Sequence, residues 1–435
     1  MPEYDSYYWI NAHAHPVISA YYPFSAIVSC FVALQNKRLQ THRPGQVLQM
    51  GFISLLSLLF IHILFGFFGW YCLVHFWANY YIALFGAITF TLAGYNWKQQ
   101  PCFQYTVAWF PWLLYGIASN NLLLSAMSMG MVLLAGYYPI GIQITLIAIL
   151  ASLYWKTSLF WVPIGVLIGL PQLIPFLRYL PKTIRANRHD SIGKVPWWHA
   201  VSLIFPTPFR YSINAVGYWE MSYYIGIIPL LAIWHTTSMA VCLMAVVAYL
   251  LMLGAFSQYF PRIPARWCFT FQFSLIWAAV SGLSSLNLPD GVLAALCLIQ
   301  AADLWLHNSP LLVNHPYAEL YNKPSWAFNT RLTRYLAAHL KPGERVSGLP
   351  YPLFTGHLNS IQTLGYSGGM QLKLMARWRN DSNSNGSGGH DYFRDNVDGG
   401  ELDRSRVRYA YTTKRIPWEP TPIKYLWRNP RLFTS

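Results

Sequence analysis

The chain has 435 residues, of which 54% are hydrophobic, 17% aromatic and 10% charged, with a formal net charge of +15. A soluble domain is usually about a quarter charged, so the polar coat that a soluble core of this size needs is missing. The composition argues against a soluble globular enzyme and points to lipid as the solvent for most of the chain.

The first residues, MPEYDSYYWINAHAHP, hold no basic region followed by an apolar one, so no cleavable signal peptide is expected. A short apolar stretch near 20–35 can span a membrane or lie in its interface. Runs near the length that crosses a hydrocarbon layer then recur at 46–74, 79–96, 104–118, 121–135, 137–155, 158–177, 218–236, 239–257, 267–286 and 288–306. Tyr80, Tyr81, Trp109 and Trp112 cluster near run ends, as interfacial belts do. Cys30, Cys72, Cys102, Cys242, Cys268 and Cys297 form no C-x-x-C pair and no zinc spacing. They read as small packing residues.

The fold class expected is an all-α polytopic membrane protein of about 10 to 11 transmembrane helices with a small α/β extramembrane C-terminal domain. The expected parts are 1–45, a loop remnant with an interfacial helix, 46–306, the membrane domain, and 307–435. In the last part TRLTRYLAAHL (Thr330–Leu340) has helical spacing and Arg404–Tyr411 reads as a strand. The polar stretch 379–400 reads as a flexible insertion.

The connections alternate. Very short turns are expected at His75–Ala78, Ser119–Asn120, Lys156–Thr157, His235–Ser238 and Asn287. The longer loops fall by parity on the opposite side, together with everything after His307. Of the 13 Lys and Arg before that residue, only Lys156 sits in a short turn. The protein is therefore expected to have one working surface.

On that surface LRYLPKTIRANRHDSIGK places Arg178, Lys182, Arg185, Arg188 and Lys194 together, and FPRIPARW holds Arg262 and Arg266 beside stiffening prolines. Guanidinium and ammonium groups bind phosphate oxygens strongly, so these are candidate phosphate ligands. Attachment to anionic headgroups is the other open reading. Glu220, among aromatics in GYWEMSYYIGIIPLLA, is a candidate base or a structural tie, and Asp5 is the other loop-side acid in an aromatic setting. His62 lies inside an apolar run, where a functional role competes with a neutral structural histidine. The His13 and His15 pair lacks the further ligands a metal site needs. No Walker loop, G-x-G-x-x-G, G-x-S-x-G or H-E-x-x-H motif is present.

Several segments, in order, resemble the YfhO-like bacterial membrane proteins, a branch of the GT-C type glycosyltransferases. WINAHAHPVISAYYPFS (Trp9–Ser25) and LLAGYYPIGIQ (Leu133–Gln143) come first, then GLPQLIPFLRYL, PWWHAVSLIFPTPF, YWEMSYYIGIIPLLA and PRIPARW. LGYSGG (Leu364–Gly369) and LDRSRVRYAYTTKR (Leu402–Arg415) follow. The resemblance implies transfer of a sugar from a polyprenyl-phosphate-linked donor to a cell-envelope glycan or similar acceptor. It places the protein in the bacterial cytoplasmic (inner) membrane, with the C-terminal domain extracytoplasmic and no nucleic-acid partner. In such enzymes a loop aspartate after the first span acts as base or metal ligand. Here that span has no counterpart, so an N-terminal truncation is expected and Asp5 is the substitute. The expected roles are then Asp5 as base, with Glu220 as the other catalytic carboxylate, and Arg178, Lys182, Arg185, Arg188, Arg262 and Arg266 as phosphate ligands. A divalent metal fits the chemistry, although the sequence offers no ligand cluster and no certain cofactor. The positive-inside rule alone would put the basic face in the cytoplasm. The alternative function is a non-enzymatic membrane protein, either a lipid or glycan transporter or an inactive scaffold that binds anionic lipid.

Overall fold

The computed structural model describes residues 44–98, 101–179, 194–205, 222–255 and 264–313, together with 338–339 and four strands at 345–347, 363–364, 407–412 and 424–427. The chain divides into two compact units, one of Leu56–Pro175 with His189–His315, the other of Met1–Leu55, Phe176–Arg188 and Pro316–Ser435.

The helices in chain order are α1 (Pro44–His75), α2 (Tyr80–Leu92), α3 (Gly94–Lys98), α4 (Pro101–Val107), α5 (Phe110–Ala118), α6 (Leu122–Ala135), α7 (Tyr138–Tyr154) and α8 (Trp161–Tyr179). After a 3₁₀ turn at Trp197–Leu203 come α9 (Ile227–Ala232), α10 (Met239–Met252), α11 (Cys268–Ser285) and α12 (Asp290–Val313). Local chemistry sets their ends. The Asn79 side chain accepts the Ile82 N–H at 2.9 Å, and Asn121 accepts that of Leu124 at 3.0 Å. Each satisfies a backbone donor that a helix start leaves without an intrahelical partner. Gly136, at φ 77°, closes α6 in the left-handed conformation.

The expected short turns all occur as connections between consecutive helices. Asn120, Lys156 and Asn287 take positive φ of 54°, 55° and 46° in three of them. Contacts gather these turns at one end of the helical unit. Trp277 lies 5.8 Å from Trp77 and 6.2 Å from Trp155, ring to ring, and the Ser285 hydroxyl donates to the His235 carbonyl at 3.0 Å. The N-terminus of α11 and the C-terminus of α12 therefore lie at the other end.

The apolar runs are not all continuous helices. Among the described residues, two stretches are long and apolar enough to cross a membrane, Pro264–Ser285 and Asp290–Asn308. Shorter apolar helices cover Phe60–His75, Tyr80–Leu92, Leu122–Ala135, Tyr138–Tyr154, Trp161–Ile174 and Met239–Met252. The run 104–118 splits between α4 and α5 because Pro111 has no N–H for the Val107 carbonyl four residues earlier. The run 218–236 is non-helical over 222–226 and turns helical only at Ile227, after Gly226 at φ 95°, ψ 158°. Conversely, α8 runs through Pro163, Pro171 and Pro175 without ending.

The interior is mostly apolar, yet it also takes in polar side chains while large apolar ones stay outside. Thr89, Ser128, Gln143, Gln272, Ser274 and Gln300 are buried, whereas Leu123, Tyr154, Phe160, Trp234, Met239 and Leu298 are each more than 70% exposed. His62 is buried with its ring 4.5 Å from that of Tyr105. Cys268 and Cys297 are buried and in no disulfide, consistent with packing roles.

The other unit holds a four-stranded parallel sheet of β1 (Arg345–Ser347), β2 (Thr363–Leu364), β3 (Val407–Thr412) and β4 (Lys424–Trp427), in the order β2-β1-β3-β4. β3 falls within three residues of the strand expected at Arg404–Tyr411. Of the helix expected at Thr330–Leu340, only Ala338 and His339 are described. The insertion 379–400 lies outside the described residues.

Candidate functional site

A non-helical segment inside a helical unit has backbone groups that no helix ladder satisfies. At Ser222–Gly226 side chains and neighbouring backbone take over. Gln272 of α11 donates to the Ser222 carbonyl at 3.0 Å, and Gln300 of α12 donates to the Ile225 carbonyl at 2.7 Å and to Thr89 Oγ1 at 3.1 Å. The Gly94 N–H donates to the Tyr224 carbonyl at 2.9 Å. Three chain regions thus fix one short piece of backbone. Gly226 is required there, because a Cβ would stand 2.5 Å from Gln300 Oε1.

The segment in turn presents Tyr224 to α12. The Tyr224 hydroxyl lies 2.7 and 2.8 Å from the two oxygens of Asp303, and the Ile227 N–H donates to Oδ2 at 3.3 Å. One turn further along α12, His307 Nδ1 lies 2.8 Å from Asp303 Oδ1 and 2.9 Å from the Asp303 carbonyl oxygen. The Asp303 side chain is 19% exposed and that of His307 37%. An acid, an imidazole and a phenol are therefore coupled at the end of the unit away from the short turns.

At that same end the 3₁₀ turn Pro264–Trp267 carries Arg266, whose guanidinium carbon sits 5.3 Å above the centre of the Tyr137 ring. A cation over an aromatic face gains about 0.5–1 kcal/mol at exposed sites. Gln143 holds the backbone beneath it, donating to the Arg266 carbonyl at 3.2 Å while accepting from Thr270 Oγ1 at 2.8 Å. Tyr137 and Arg266 come from two of the segments that carry the family resemblance, and the fold brings them together.

Lys194 runs its stem along Gly254, where a Cβ would meet Lys194 Cδ at 2.6 Å, and the Val195 N–H donates to the Met252 carbonyl at 3.0 Å. Nearby, His199 is buried, 3.2 Å from Ser202 Oγ, and desolvation pushes its pKa down to about 4. Arg178 is exposed in the last turn of α8. Asp5, Lys182, Arg185, Arg188, Glu220 and Arg262 lie outside the described residues, as do His13 and His15. Among the described residues no group of three His, Cys, Asp or Glu side chains is placed to hold a metal.

Asp303, His307 and Tyr224 are absent from the residues singled out by sequence. The available signal was the i, i+4 spacing of Asp303 and His307 on a helix, which puts both on one face. The expected span ended at 306, which separated the two. Comparison with family models, curated proteins and solved structures finds no match to this chain.

Proposed function

We propose that the chain is a multi-pass membrane glycosyltransferase that moves a sugar from a polyprenyl-phosphate-linked donor to a cell-envelope acceptor at the face opposite the short turns. Lipid accounts for the large apolar side chains left exposed on α6, α7, α10 and α12 while amides and hydroxyls are buried. Two helices of membrane length support the same reading. The observation that carries it is Arg266, held over Tyr137 beside the end of the unit that bears the Asp303 cluster. A guanidinium so oriented is suited to a phosphate emerging from the bilayer, and can stabilise it as a leaving group. The roles of Asp5, Glu220, Lys182, Arg185, Arg188 and Arg262 remain part of the proposal.

The test is binding of polyprenyl phosphate to the full chain in lipid nanodiscs, combined with envelope sugar analysis after gene deletion. Saturable binding and loss of an envelope sugar are expected. Unchanged glycans with no lipid binding sink the reading, as does a topology reporter after Ser435 that reads cytoplasmic.

A second reading, transport of a lipid or glycan, is favoured by the helix-breaking segment Ser222–Gly226, since transporters build sites around interrupted helices. Movement of polyprenyl phosphate across sealed vesicles without sugar transfer would select it.

A further inference from the structure

We propose that His307 is the general base of this face, with Asp303 as its positioning residue, and that it acts on a hydroxyl of the sugar acceptor. The proposal rests on the glycosyl-transfer reading.

The geometry of Nδ1 fixes the tautomer. Its two neighbours, the Asp303 carboxylate oxygen at 2.8 Å and the Asp303 carbonyl oxygen at 2.9 Å, can only accept. Nδ1 therefore carries the proton, and the lone pair of the neutral ring is on Nε2. Nε2 has no hydrogen-bond partner among the described residues, and the side chain is 37% exposed. The carboxylate cannot swing away, because the Tyr224 hydroxyl and the Ile227 N–H hold its other lone pairs. The Tyr224 ring, 5.1 Å from the imidazole centre, closes one side. Asp303 and Tyr224 are the titratable groups that face His307 among the described residues.

Position supports the same role. α12 begins at Asp290 on the short-turn end. At 1.5 Å per residue His307 lies roughly 25 Å further on, close to the far side of a hydrocarbon layer about 30 Å thick. A lipid phosphate and a water-borne acceptor meet at that depth.

In the reaction the acceptor O–H gives its proton to Nε2 as its oxygen bonds to the anomeric carbon of the donor sugar. The bond from that carbon to the phosphate oxygen breaks, and its electron pair leaves with the phosphate. Asp303 stabilises the imidazolium, which then returns its proton to water through the exposed ring edge.

A simple structural tie between Asp303 and His307 would give the same distances, so the test must read more than loss of activity. One arm uses ¹⁵N-histidine NMR of the full chain in nanodiscs at pH 8. Protonated Nδ1 in the wild type, changed in Asp303→Asn, is expected; protonated Nε2 in the wild type overturns the proposal. The other arm follows release of polyprenyl phosphate from polyprenyl-phosphate-linked glucose in the presence of membrane glycan. His307→Ala should slow release by about a hundredfold or more, leave polyprenyl phosphate binding within about twofold, and regain activity with added imidazole. Asp303→Asn should slow release without weakening polyprenyl phosphate binding. Release by His307→Ala within about threefold of an active wild type overturns the base assignment alone. A wild type that neither binds nor turns over the lipid overturns the glycosyl-transfer reading, and this role with it. If His307→Ala fails to fold, the tautomer of the wild type decides.

Discussion

The Tyr224 hydroxyl lies within 2.8 Å of both oxygens of Asp303, linking a non-helical segment to a helix 79 residues away in sequence. A hydrogen bond to a charged group contributes about 1.5–3 kcal/mol, and its loss in a buried setting leaves the carboxylate short of a donor. Tyr224→Phe should therefore lower the unfolding temperature in detergent by several degrees, with the helical signal of the folded protein unchanged. A variant as stable as the wild type would mean that the Ile227 N–H and His307 suffice to satisfy Asp303.

The same segment depends on Gly226, whose φ of 95° and ψ of 158° fall in a region that is essentially glycine-only. Gly226→Ala combines that strain, about 1–3 kcal/mol, with a clash against the Gln300 amide. Expression of folded protein should fall more sharply than for Gly291→Ala, since nothing lies within 4 Å of a Cβ at Gly291. Fluorescence-detected size exclusion of both variants compares them directly.

Close helix packing makes a third case. Gly165 and Gly169 form a G-x-x-x-G pair on α8, and a Cβ on either would come 2.6 Å from Met129 or Leu133 of α6. Ile168 lies in turn against Gly130. Small residues at this spacing let two backbones approach in membranes. Gly165→Leu should destabilise by about 1–3 kcal/mol or more through overpacking, read as a lowered melting temperature.

His199 gives a pH dependence with a defined sign. Burial lowers its pKa from 6.5 to about 4, so between those values the unfolded chain binds a proton that the folded chain does not. Stability is full above pH 6.5 and falls as pH drops toward 4, by at most about 3 kcal/mol from this group. His199→Leu should flatten that part of the stability profile in detergent melts between pH 7.5 and 4. A wild-type profile with no slope over this range would contradict the buried neutral ring.

At Arg266 charge and shape are separable. Arg266→Ala should weaken polyprenyl phosphate binding about tenfold, roughly 1.4 kcal/mol, and reduce its salt dependence. Arg266→Lys should restore the charge but not the planar fork that lies over Tyr137. Equal binding by all three proteins would remove Arg266 from the phosphate site.

The sequence by itself determined where the chain turns. Asn79, Asn121 and Gly136 act through bonds or dihedrals within a few residues, so the helix starts, the short turns and the uneven distribution of charge were legible from local pattern. Pro111 and Gly226 also announce their breaks, although the apolar runs around them read as continuous because hydrophobicity carries no record of a missing N–H. What only the tertiary structure decided is which distant polar groups meet. Gln272 and Gln300 satisfy a backbone some 50 and 75 residues away, Tyr224 reaches Asp303 across 79, and Gln143 supports Arg266 across 123. Such pairings follow from how helices stack and not from any local propensity. That is why Arg266 could be singled out by its charge, whereas the Asp303 and His307 pair becomes visible only when Tyr224 is placed against it.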